Sequence, residues 1–270
     1  MSSKIKYKIS DIQNLKNSKT PFCTITVYDY ASSLIINELN IPLVLVGDSA
    51  SMVMFGYENT TRISVNELLF LTKAVCRGIS RALIVADLPF MSYQPSNSLA
   101  VENAGRFIKE GKADAVKLEG GIEYIDRVEN IVKAGIPVMG HIGLKPQSVL
   151  QESGYKIKGK TFESAKEIYQ DAIALEKAGA FSIVLECVPV ELADIITSKL
   201  KIPTIGIGAG SGCDGQIQVF HDLIGSFKKG SPKHAKKYLN IERNITAAIE
   251  VYIKDVRDRI FPNQSNCATM

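Results

Sequence analysis

The feature that most constrains this chain is an alternation. A short β-rich apolar run is followed by a longer segment of helical period, again and again. The runs are FCTITVY (22–28), PLVLVGD (42–48), RALIVAD (81–87), DAVKLEG (114–120), PVMGHIG (137–143), FSIVLEC (181–187), PTIGIGAG (203–210) and, more weakly, QIQVF (216–220). Helical segments are expected at 64–78, 97–111, 121–134, 162–179 and 189–200. In the first, Leu68, Leu69, Leu71, Thr72 and Val75 form an apolar stripe, and Ser64 with Glu67 has the spacing of a capping box. Strands that are almost continuously Val, Ile and Leu are buried on both faces, which means a parallel sheet covered by helices. Two architectures fit, a closed (β/α)8 barrel and a doubly wound open sheet. An open sheet gathers its functional groups at one switch point, whereas a barrel builds its site from a whole rim of strand ends. Here polar residues close most runs: Asp29, Asp48, Asp87, Glu119, His141 and Glu186. The pattern therefore predicts an α/β chain folded as a (β/α)8 TIM barrel. A single domain over 1–270 is expected, with an N-terminal segment at 1–20, a terminal helix over 233–260 and a fraying tail at 261–270. The polar stretch 144–160 lacks helical period and is expected to be a long rim excursion or a hairpin.

Composition narrows the function classes. With 46% hydrophobic residues in 270, the chain can bury a sizeable core. No apolar run approaches the roughly 20 residues of a membrane span, and the first ten residues lack the apolar core of a signal peptide. A cytoplasmic protein without membrane partners is the expectation. The net charge of +4 is too small to argue for nucleic acid. Residues 1–20 hold five Lys and one acid, and residues 228–270 hold nine basic and four acidic residues, so the intervening stretch is net acidic. Five cysteines without a CxxC pair, beside three histidines, predict reduced thiols and no Cys/His zinc site. Nucleophile-elbow, Walker A and HExxH patterns are absent. The glycine-dense run 206–215 follows a strand without matching GxGxxG, and reads either as a tight rim turn or as a phosphate contact.

The strand-end residues suggest a chemistry. Asp48 and Asp87 each close an apolar run, and acids so placed would repel one another unless a cation or proton lay between them. Oxygen-only ligands suit Mg²⁺; the plainer reading is that each acid caps a helix. Lys117 and Glu119 stand two apart, so both point to one face of a strand with Val116 and Leu118 on the other. They read as a substrate-binding Lys with a metal-shell Glu, or as an internal ion pair. Glu186, at the apolar end of its strand, is a candidate general base with a raised pKa. His141, between glycines, reads as a site residue or as a structural hydrogen-bonder. Together these groups suit metal-assisted chemistry on a small 2-oxo acid, with Mg²⁺ polarising the oxo group, Lys holding the carboxylate and a carboxylate taking the adjacent C–H proton.

Longer stretches carry a resemblance. TVYDYAS (26–32), VLVGDS (44–49), RALIVADLPFMSYQ (81–94), AVKLEGG (115–121), PVMGHIGLKPQS (137–148), LECVP (185–189), PTIGIGAGSGCDGQ (203–216) and HDLIG (221–225) occur in family order, and the chain resembles the ketopantoate hydroxymethyltransferase (3-methyl-2-oxobutanoate hydroxymethyltransferase) family of pantothenate biosynthesis. The resemblance implies a barrel of the phosphoenolpyruvate/pyruvate type and transfer of a hydroxymethyl group from 5,10-methylenetetrahydrofolate to 3-methyl-2-oxobutanoate. It implies Mg²⁺ on Asp48 and Asp87 with Glu119 in the metal shell, substrate contacts from Asp48, Ser49, Asp87, Lys117 and His141, and Glu186 as proton acceptor. It also implies a homodecamer of two stacked pentamers. Arg62 and Lys145 depart from the family's usual residues without removing any of these groups. Lys156, Lys158 and Lys160 share one face of an extended segment, either as a solvated hairpin or as a steering patch for polyglutamylated folate. A related 2-oxo acid lyase or mutase and a non-catalytic ligand-binding barrel remain as alternatives.

Overall fold

The computed structural model describes residues 6–151, 154, 157–227 and 232–268. Lys156 lies outside the described residues. The chain divides into two compact units, up to Val219 and from Phe220 onward. The first is a closed barrel of eight parallel strands in sequence order: β1 (Phe22–Thr26), β2 (Leu43–Val46), β3 (Leu83–Asp87), β4 (Ala115–Lys117), β5 (Val138–Gly143), β6 (Ser182–Glu186), β7 (Thr204–Ile207) and β8 (Gly215–Gln218). Parallel pairing of β1 with β8, with Thr24 opposite Ile217, closes the ring. All eight expected runs form strands, including the weakly signalled last one, and the open-sheet alternative is excluded.

The expected helices form at Val65–Gly78, Asn97–Lys109, Phe162–Lys177 and Val190–Lys199, and 121–134 begins with a 3-10 turn before Ile125–Lys133. The Ser64–Glu67 capping box is present, with Glu67 Oε2 accepting the Ser64 N–H at 2.8 Å. A helix at Tyr30–Asn37 is capped by Asp29, whose Oδ1 accepts the Ser32 N–H at 2.8 Å. Asp29 thus follows the plainer reading of a strand-end acid. The glycine run forms the turn between β7 and β8, with Gly208 and Gly210 at φ +65° and +83°, a region that favours glycine. Among the described residues, the excursion after β5 contains a 3-10 turn at Pro146–Ser148.

Packing explains why one end of the barrel is free for chemistry. Ile12, from a helix at Ile9–Asn17, is fully buried in the cluster that contains Phe22, Leu43, Leu83, Ala115 and Ile205. These residues stand near the N-terminal ends of their strands, so the helix seals that end. Lys16 ties it down: its Nζ donates to Asp214 Oδ2 and to the Thr197 carbonyl, both at 2.8 Å. The C-terminal ends remain for function. The second unit holds helices Phe220–Ile224 and Ile241–Arg257 and a 3-10 turn at Gln264–Asn266. No helix among the described residues is long and apolar enough to cross a membrane.

Ile12→Ala should cost about 2–5 kcal/mol of stability, the usual range for a large-to-small change in a packed core. Urea unfolding checks it, with the midpoint expected to fall and the slope to stay constant.

Candidate active site

Register brings the strand-end residues together. β3 and β4 align Asp87 with Lys117, and β2 pairs with β3 through Val46 and Ala86, which carries Asp48 to the same level. Beyond β4 the Gly120 N–H donates to the His141 carbonyl at 3.0 Å, setting Glu119 beside His141. Across β5 and β6, Gly143 lies opposite Glu186. A side chain at Gly143 would place its Cβ 2.3 Å from the Glu186 carbonyl oxygen, and its φ is +94°. Gly140 makes room for Leu175. The glycines around His141 therefore serve the close approach of neighbouring chain segments.

Asp48, Asp87, Lys117, Glu119 and His141 are all at least 95% buried. Lys117 Nζ lies 2.7 Å from Asp87 Oδ1. That contact is a charge pair outside hydrogen-bond alignment, so Asp87 Oδ1 and Glu119 Oε1 are both buried without a hydrogen-bond donor among the described residues. Asp87 Oδ2 accepts the Asp48 N–H at 2.9 Å. Lys117 Nζ also meets His141 Nδ1 at 3.2 Å, while His141 Nε2 lies 2.9 Å from the Leu144 carbonyl. An ammonium only donates and a carbonyl only accepts, so the proton of neutral His141 sits on Nε2. Burial and then the Lys117 charge hold His141 well below its ordinary pKa, in that neutral form. Glu186 Oε2 lies 3.4 Å from the same Nε2. Ser49, at the start of the turn Ala50–Val53, pairs its Oγ with the buried Tyr28 hydroxyl at 2.7 Å.

The charges do not balance. Four carboxyl groups (Asp48, Asp87, Glu119, Glu186) stand with one ammonium and a neutral imidazole. Burial, and then the charge of Asp87, pushes the Asp48 carboxyl up to about 7. Burial takes Glu186 to about 8 and Glu119 well above the carboxylate range. It raises Asp87 too, against the opposing Lys117 ammonium. Burial would lower Lys117, but Asp87, Glu119 and Asp48 together hold it above its usual value, so it stays charged. Such a cluster must take up protons or a cation. Carboxylate oxygens without donors form a hard, oxygen-only donor set, which fits Mg²⁺.

Residues beyond the sequence-derived set hold this arrangement. Gln147 Nε2 donates to Asp48 Oδ2 at 2.8 Å and to the Leu88 carbonyl at 3.0 Å, while its backbone N–H donates to Glu119 Oε2 at 3.0 Å. The Tyr93 hydroxyl lies 2.8 Å from the Glu119 carbonyl and 3.0 Å from Gln147 Oε1. Both were present in the stretches LPFMSYQ and LKPQS, but nothing in their spacing marks them, because their partners are about 26 to 99 positions away. The two departures stand aside: Arg62 is exposed, and Lys145 pairs with Glu123 at 2.7 Å.

The family model for ketopantoate hydroxymethyltransferase matches residues 6–264. A Dehalococcoides mccartyi 3-methyl-2-oxobutanoate hydroxymethyltransferase is 50% identical over 262 residues, 97% of this chain and 94% of that relative. The Enterococcus faecalis protein of the same name is 52% identical over 248 residues, 92% of this chain and 90% of its own length. This chain belongs to the ketopantoate hydroxymethyltransferase family. Among solved structures, phosphonopyruvate hydrolase in complex with oxalate and Mg²⁺ superposes with a TM-score of 0.62 at 13% identity, covering 98% of this chain and 92% of that one. A 2,3-dimethylmalate lyase of the PEP mutase/isocitrate lyase superfamily gives 0.60 at 14%, covering 98% and 89%. At such identities these two speak for the barrel fold alone.

The raised carboxyls give a signed stability prediction for the metal-free protein. Asp48 binds its proton more tightly folded, at about 7, than at its ordinary 3.8. Its contribution is therefore intact below pH 4 and is lost as pH rises toward 7. Asp48→Asn should flatten this decline in urea unfolding at pH 5 and pH 8 without divalent cations. An unchanged pH slope would show that Asp48 is not the group concerned.

Proposed function

We propose that this protein is a 3-methyl-2-oxobutanoate hydroxymethyltransferase. It converts 3-methyl-2-oxobutanoate to 2-dehydropantoate with a one-carbon unit from 5,10-methylenetetrahydrofolate, in pantothenate biosynthesis. The observation that carries the reading is the buried excess of carboxyl groups around Lys117, with Glu186 at its edge. The family match and the relatives' shared name support it. Mg²⁺ would be held by Asp48 and Asp87, with Glu119 completing the shell, and when bound it would neutralise that excess and polarise the 2-oxo carbonyl.

The chain's own groups do the rest. Lys117 remains an ammonium, held by the charge of Asp87 at 2.7 Å and by its hydrogen bond to His141, and would pair with the substrate carboxylate. His141 has both ring nitrogens occupied, so it orients Lys117 and lines the pocket without acting as the base. Ser49, beside Asp48, offers a hydroxyl to the oxo acid. Glu186, raised to about 8, is a strong enough base when ionised to take the C3 proton. Water hydrolyses the donor, its two hydrogens going to the nitrogens of the departing tetrahydrofolate and its oxygen to formaldehyde; the carbanion adds to that formaldehyde, and the resulting alkoxide takes up the proton held by Glu186. A cytoplasmic homodecamer of two stacked pentamers completes the reading.

An assay with both substrates, with and without Mg²⁺, tests the function; product without folate would favour a lyase or mutase. Glu186→Gln should abolish exchange of the C3 proton with deuterated water while oxo acid binding stays within several-fold, and normal exchange would remove Glu186 as the base. In the parent protein the exchange rate should rise with pH toward about 8, because only ionised Glu186 accepts a proton.

A further inference from the structure

The described barrel carries a concave feature outside the carboxylate cluster. A cavity of about 740 Å³ lies over the ends of β6 and β7, between the last residues of the rim excursion with the start of the helix Phe162–Lys177 and the first turns of the helix Val190–Lys199. Its size falls within the roughly 300–1,000 Å³ usual for sites that take small organic ligands. Its walls are mostly apolar, with Ile157, Val188, Val190 and Ile195 among them. Val188 is buried, but Ile157, Val190 and Ile195 are 52%, 47% and 55% exposed, an unusual amount of aliphatic surface for one hollow. Val188 is two residues beyond Glu186, so the cavity adjoins the base without including it.

Two charged side chains of opposite sign also line it, Lys160 and Glu191. An apolar slot with a cation and an anion fits a ligand that is flat and apolar along its length, offers paired N–H donors at one end and carries carboxylate at the other. A reduced pterin with its p-aminobenzoyl-glutamate has that distribution. The pterin's amino group and ring N–H present two parallel donors, which a carboxylate accepts as a pair. The glutamate carboxylates suit an ammonium on a flexible stem.

We infer that this cavity is the binding site of the one-carbon donor, with Glu191 pairing with the pterin edge and Lys160 with the glutamate. The inference rests on the function proposed above. It also gives Lys160, one of the alternating lysines of the sequence, a specific partner. The donor's methylene carbon would then lie on the Glu186 side of the cavity, next to the oxo acid.

The test measures three quantities in the parent protein, Glu191→Gln and Ile195→Arg: KM for methylenetetrahydrofolate, KM for the oxo acid, and C3 exchange without folate. Ile195 is surface-exposed, so Arg there obstructs the cavity without burying a charge. Both variants should raise the donor KM at least ten-fold while C3 exchange and the oxo acid KM stay within two-fold. Lys160→Gln should weaken polyglutamylated donor more than the monoglutamyl form. A donor KM within two-fold of the parent in both variants, a loss that tracks the exchange reaction, or equal effects of Lys160→Gln on both donor forms overturns the assignment. A parent protein that exchanges the C3 proton but makes no product from methylenetetrahydrofolate refutes the proposed function instead.

Discussion

Lys117 is surrounded by more buried negative charge than it can neutralise, and the site follows from that imbalance. Buried carboxylates are costly unless paired, and pairing one with Lys117 leaves the others to be protonated or to share a cation. Asp87 takes the ammonium, Asp48 and Glu119 share the donors of Gln147, and Glu186 is left with a raised pKa and a nearby imidazole N–H. The same imbalance would suit a hard divalent cation, and it leaves Glu186 raised to about 8. An ion that entered would lower the pKa of all four carboxyls at once, so metal binding and proton state are coupled through shared groups.

The barrel makes this arrangement possible at modest structural cost. Its N-terminal end is sealed by Ile12 and fastened by Lys16, so the core does not depend on the polar end. Alternation then decides which side chains point inward, and the offsets between strands decide their levels. Lys117 and Glu119 point inward together because they are two apart, and Asp87 meets Lys117 because β3 and β4 align them.

This is also why so much was legible in advance. Strand identity, inward-facing parity and strand-end acids are local properties, and the eight runs, Asp48, Asp87, Lys117, Glu119, His141 and Glu186 all follow from them. Asp29 has the same local signature and turned out to cap a helix, because a strand-end acid can reach the next N-terminus as easily as the barrel axis. What stayed hidden depends on distant segments meeting. Gln147 joins Asp48 and Glu119 from the excursion after β5, a segment whose polar, aperiodic sequence suggested only a loop. The protonated nitrogen of His141 is likewise fixed by two partners that only the fold brings together. The cavity beside Glu186 has no sequence motif, since its walls come from three separated segments.

The most direct measurement is Mg²⁺ binding by titration calorimetry at pH 6.5 in two buffers of different ionisation enthalpy. At that pH Asp48, at about 7, and Glu186, at about 8, hold protons in the metal-free site. Binding should therefore release protons and give a buffer-dependent enthalpy, and Asp48→Asn should reduce the release. Binding with the same enthalpy in both buffers, or no binding, would contradict the idea that a cation resolves the buried charge around Lys117.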